Sequence, residues 1–154
     1  MLLILTHIGI SDTDLKDLSN HVAWRLAHTY SQPSMPRLAV GRFISILRKN
    51  FQDATREDAS AVSHAKLLIF SAHDTTLMST LHGWGLEKAY EGHGWPPYAA
   101  TLRFDLLKET SKGIDAYHVR VIFDGRVVHF ADEPTREVWP LDTLLRQAEE
   151  HVLA

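Results

Sequence analysis

The sequence predicts an α/β domain: a sheet with flanking helices, mixed in strand direction and carrying an antiparallel hairpin near its C-terminal end. Three observations carry this expectation. Two long stretches repeat apolar residues at helical intervals. A short apolar run, Leu67 to Ser71, is bounded by polar residues, as a buried strand would be. Asp124-Gly125 lies between two strand-like segments and is a strong two-residue turn signal. The 154 residues, 45% hydrophobic and 23% charged, suffice for one domain with its own core.

Taken in order, Met1-Leu-Leu-Ile-Leu5 reads as a strand. It is far too short to span a membrane, and it lacks the basic flank and cleavage site of a signal peptide. From about Thr13 to Tyr30, Leu15, Leu18, Val22, Leu26 and Thr29 mark a helix, with N-cap candidates in Ser11 to Asp14. Ser31 to Pro36 is a breaker loop. Leu38 to Ala54 is a second helix with Phe43, Ile44, Leu47 and Phe51 on one face. A polar connection, Thr55 to His64, leads into the run at Leu67. The segment after Asp74 carries Leu77, Leu81 and Trp84 at helical spacing, and Gly85 is suited to stop it. Glu87 to Pro97 reads as a loop. Tyr98 to Leu107 and Tyr117 to Phe123 read as strands, with Arg126 to Phe130 returning after the turn. Pro140 starts a last helix from about Leu141 to Leu153. Trp24, Trp84 and Trp139 are expected in the core, and Arg37, Arg42 and Arg48 on a solvated helix face.

Composition removes several classes of function. Sixteen basic against 19 acidic residues give a net charge of −3, with no electrostatic footprint for nucleic acid. The absence of cysteine removes disulfides, thiolate metal sites and thiol chemistry. It leaves the compartment open. His64, His82, His93, His118, His129 and His151 show no i, i+4 metal pair with a supporting carboxylate, so no metal is expected. His118 and His129 are placed to face each other across the hairpin, a weak signal.

The chemistry concentrates at Ser71-Ala-His73-Asp74-Thr-Thr. A strand that ends on a polar pair and opens into a helix leaves unpartnered N–H groups and a partial positive charge at the junction, where an anion docks. The plainer alternative is a helix cap, in which Asp74 satisfies those N–H groups.

These residues, followed by Trp95-Pro-Pro-Tyr98-Ala99, resemble the C-terminal signature of the histidine acid phosphatases. Leu38 to Ala54 resembles the helix before that family's catalytic strand, and Tyr117 to Gly125 its later hairpin. Val138-Trp-Pro-Leu-Asp142 resembles a stretch where Cys usually precedes Pro-Leu, so Trp139 stands in its place. The resemblance runs from about Leu15 to the end. It implies a layered core around a doubly wound sheet, and a phosphomonoesterase working through a phosphohistidine with no metal and no organic cofactor. His73 would bind the phosphoryl group, and Asp74 would donate the proton to the leaving alcohol. A positioned acid contributes on the order of 10² to 10⁴ in rate. A helix start favours ionised Asp and a neighbouring phosphate the protonated form, so a complete enzyme is expected to act best below neutral pH.

The nucleophile is not carried over. The family's Arg-His-Gly-x-Arg motif is absent; Thr6-His7-Ile8-Gly9 lacks the arginine and interposes Ile8, so His7 is read as flanking the first helix. Residues 1–154 are therefore expected to form one partial domain, the C-terminal portion of a phosphatase, inactive alone. The alternatives are a catalytically dead module that binds phosphate or protein, and a structural remnant. Partners would be phosphorylated small molecules or phosphoproteins, with self-association through apolar surface left bare by the missing half.

Overall fold

The structure is a computed structural model that describes residues 9–32, 34–56, 66–86, 95–130 and 135–151. The expectations for Met1 to Leu5, His7, His64, His93 and Leu153, and for the loop from Glu87 to Gly94, lie outside the described residues. Among the described residues, four helices and a four-stranded antiparallel sheet are present, in the order α1 (Asp12–Tyr30), α2 (Ser34–Ala54), α3 (Asp74–Gly83), β1 (Leu102–Ser111), β2 (Ile114–Phe123), β3 (Arg126–Val127), β4 (Trp139–Pro140) and α4 (Leu141–Gln147). A short 3₁₀ turn, Glu149–His151, follows. This agrees with the expected α/β class. The described ladders are all antiparallel.

Helix α1 begins at a capping box. The Ser11 hydroxyl accepts from the Asp14 backbone N–H, and the Asp14 carboxylate accepts from the Ser11 backbone N–H. Its buried face is narrower than the periodicity implies: Ala23 is buried, while Leu18 and Val22 are exposed. Trp24, expected in the core, is 62% exposed and stacks on His28, ring centroids 5.5 Å apart. Helix α2 starts at Ser34, four residues before the expected boundary, and takes in Pro36. Proline is tolerated there because first-turn N–H groups have no helical acceptor. Its buried face is Val40, Ile44, Leu47 and Phe51. Arg37 and Arg42 are exposed, whereas Arg48 is half-buried and donates to the Leu145 carbonyl. The long stem packs while the guanidinium satisfies a carbonyl near the end of α4.

Helix α3 ends in a Schellman arrangement: Leu86 N–H bonds the Leu81 carbonyl at 2.8 Å, Gly85 N–H bonds that of His82 at 3.1 Å, and Gly85 has φ +65°. Leu81 and Leu86 are both fully buried beside this turn. Near the same end, a Cβ added to Gly83 would lie 2.6 Å from Ile44 Cδ1, so the glycine permits α3 to approach α2 closely. Trp84 is fully buried, and its Nε1–H donates to the Leu144 carbonyl at 3.1 Å, tying α3 to α4.

Strand β2 is the centre of the sheet, with β1 on one side and β3 and β4 on the other. Asp124-Gly125 makes the expected tight turn, with φ of 46° and 80°. A second such turn, Lys112-Gly113 with φ of 52° and 78°, joins β1 to β2 and extends both strands beyond their expected ends. Strand β1 starts at Leu102 rather than Tyr98, because Pro97 to Ala100 forms a turn closed by Ala100 N–H on the Pro97 carbonyl at 3.1 Å. Strand β3 pairs over two residues only, although Val128 N–H still reaches the Val121 carbonyl at 2.9 Å. Trp139 is buried as expected and packs edge-on against Phe130 at 4.3 Å. His118 sits opposite Leu107 and Pro140, not His129, whose Nδ1 pairs with the Arg136 carbonyl at 2.9 Å.

The largest departure is the run at Leu67. It is neither a ladder strand nor buried: Leu67 is 74% and Ile69 83% exposed. An apolar run becomes a buried strand only if a neighbour takes its N–H and C=O groups and a layer covers its face. Among the described residues Phe70 packs edge-on against Phe43, ring centroids 5.1 Å apart.

Candidate active site

The extended run delivers the chain to the start of α3. His73 is the N-cap, with φ −97° and ψ 162°, and its side chain makes no capping bond. Its carbonyl accepts from Thr76 N–H at 3.0 Å and Leu77 N–H at 3.1 Å, which fixes the backbone while leaving the imidazole outside the helix. Asp74 is the first helical residue. Both side chains are exposed. They stand side by side at the positive end of the helix rather than turned into the core.

Asp74 is held at both carboxylate oxygens. Oδ1 accepts from Thr75 N–H at 2.7 Å, so the capping reading of this residue is realised at one atom. Oδ2 accepts from the indole Nε1–H of Trp95, twenty-one residues further along. The donor comes from the segment before the Pro97–Ala100 turn, whose Pro96 is buried and whose Trp95 is half-buried against the core. The Trp95-Pro-Pro-Tyr98 stretch leads through that turn into the edge strand β1, and it also reaches the site. Nothing in the spacing signalled this: a lone Trp before two prolines reads as turn and packing.

Behind the site, the helix absorbs its own buried hydroxyls. Ser79 and Thr80 are each 1% exposed and donate to the Thr75 and Thr76 carbonyls at 2.7 Å. Met78 and Leu81 anchor α3 in the core below them. The exposed pair therefore projects from a well-packed helix. Among the described residues no three His, Asp or Glu side chains converge as a metal cluster would require.

An exposed His-Asp pair at a helix start, on this fold, is consistent with the class that the sequence comparisons define. The chain belongs to the histidine phosphatase superfamily, branch 2, whose family model matches residues 12–124, in agreement with the resemblance to histidine acid phosphatases. Among its relatives is a probable acid phosphatase of Dictyostelium discoideum, 31% identical over 121 residues that cover 69% of this chain and 25% of the relative. Bovine (Bos taurus) lysosomal acid phosphatase is 31% identical over 127 residues, 82% of this chain and 25% of the relative. Bovine lysophosphatidic acid phosphatase type 6 is 34% identical over 72 residues, 47% of this chain and 16% of the relative. The chain thus spans about a quarter of the length of the first two. No helix among the described residues is long and apolar enough to cross a membrane.

Proposed function

We propose that this chain is the C-terminal portion of an acid phosphatase core and carries its proton-transfer and phosphate-binding pair. His73 donates a hydrogen bond to a phosphoryl oxygen. Asp74 gives its proton to the leaving alcohol as the P–O bond breaks and a histidine N–P bond forms. In the second step Asp74 takes a proton from water, which attacks phosphorus and releases phosphate and the histidine. Two easier displacements replace one difficult step. The substrate is a phosphate monoester, on a small molecule or a protein.

One observation carries this reading: His73 and Asp74 are adjacent, exposed and set at a helix N-terminus in a chain of this family. The attacking histidine has no counterpart among the 154 residues, which contain no Arg-His-Gly string. Proton donation cannot replace a missing nucleophile, so turnover by this chain alone is negligible. The same absence supports a second reading, a module that binds phosphate or a protein without turning it over.

One test separates the readings, and a second checks the inactivity that both expect. An in-frame Arg-His-Gly-x-Arg string upstream of the Met1 codon favours the enzyme, and a stop codon there favours the binding module. The purified chain should leave an aryl phosphate intact under acidic conditions. Turnover abolished by His73→Ala would show instead that a nucleophile within these residues suffices.

A further inference from the structure

We infer that Trp95 is a positioning residue for Asp74, a role that rests on the phosphatase reading of the site. The indole Nε1–H is the donor on Oδ2, and the Thr75 backbone N–H is the donor on Oδ1 at 2.7 Å. Together they restrict both torsions of a carboxylate that is otherwise exposed. Thr75 is Asp74's own neighbour and moves with it. Among the described residues Trp95 is the side-chain partner of Asp74 that comes from another part of the chain, so it sets where Oδ2 points relative to the fold.

Trp95 is suited to this. The ring is half-buried against the core, Pro96 after it is buried, and the Pro97–Ala100 turn ties the segment to β1. An indole has one donor and no competing acceptor, so it holds a carboxylate without offering a proton path of its own. The bond is charge-assisted while Asp74 is ionised, and such bonds are about twice as strong as neutral ones. The tether keeps the negative carboxylate from swinging across the start of α3 toward an anion on His73. Without the tether, the carboxylate is free to repel that anion.

The test uses the 154-residue chain, inorganic phosphate as probe, and two spectroscopic readouts. The first is the Trp95 indole N–H resonance, assigned by its loss in Trp95→Phe. Its slow exchange and downfield position should be partly lost in Asp74→Asn and fully lost in Asp74→Ala, approaching those of exposed Trp24. The asparagine variant keeps an acceptor without the charge, so the graded order is the signature of the bond. A resonance indifferent to both substitutions overturns the tether.

The second readout is phosphate affinity followed at the His73 ring. Trp95→Phe keeps the ring in place and should weaken phosphate binding roughly three- to tenfold, the range expected for one hydrogen bond. In an Asp74→Asn background the same change should have no effect, because no charge is left to swing. Equal weakening in both backgrounds would show that Trp95 only supports the loop, and would overturn the positioning role. A His73 ring unmoved by phosphate in the native chain removes the phosphatase reading and this role with it. An indifferent indole alongside normal phosphate binding removes only the role of Trp95.

Discussion

Asp14 and Asp74 are both aspartates in the first turn of a helix, yet they serve different ends. Asp14 closes a capping box with Ser11, and the Ser11 hydroxyl and backbone N–H hold its carboxyl below the usual range. A carboxyl lowered in the folded state adds stability above the unfolded value and loses it as pH falls through the folded one. Thermal melts between neutral and acid pH should therefore show the loss in the native chain, and a smaller one in Ser11→Ala. Equal acid sensitivity would contradict the cap. Asp74 has its two oxygens on Thr75 and Trp95, so its geometry depends on a distant segment. The placement of His73-Asp74 at a helix start was legible from sequence because the pair is contiguous; the Trp95 partner was not, because no local rule links positions twenty-one residues apart. Trp24 shows the converse error: a large apolar residue on a helix reads as core, but α1 buries only a strip around Ala23.

Helix α3 shows how an element is placed by the residues at its end. Gly83 lets it approach Ile44, and Trp84 fastens it to the Leu144 carbonyl. Replacing Gly83 by Ala gains about 1 kcal/mol of helix propensity but presses a methyl onto the buried Cδ1 of Ile44. Overpacking costs about 1–3 kcal/mol, so Gly83→Ala should lower the denaturant midpoint. In an Ile44→Val background, which removes Cδ1, the same change should raise it. A midpoint that moves the same way in both backgrounds would refute the close approach. The helices and the Asp124-Gly125 turn were readable because periodicity and turn chemistry are local. The Lys112-Gly113 turn was not, since lysine rarely takes a positive φ and offers no signal. Its glycine carries φ +78°, so Gly113→Val should destabilise by at least ~1 kcal/mol in chemical denaturation. Unchanged stability would mean that the turn relaxes to another type.

At the scale of the whole molecule, the core gathers α2, α3, the sheet and α4, while the run that leads to the site stays outside it. Leu67, Leu68, Ile69 and Phe70 form a continuous apolar strip, all of it exposed. The sequence predicts a buried strand here and the structure overturns it, because apolar composition alone does not supply a covering layer, and none is found among the described residues. An exposed apolar strip favours association. The chain should show concentration-dependent sedimentation, and Leu67→Lys with Ile69→Lys should reduce it. Sedimentation unaffected by those changes would place any association elsewhere.

The central claim is that a phosphoryl group settles where this strip meets α3, against His73 and Asp74. A titration of the chain with inorganic phosphate, followed at the His73 ring by NMR, tests it most directly. The account predicts saturable ring shifts that are lost when phosphate is replaced by chloride at equal ionic strength, and strengthened by Asp74→Asn. Ring resonances that stay still up to high millimolar phosphate would contradict it.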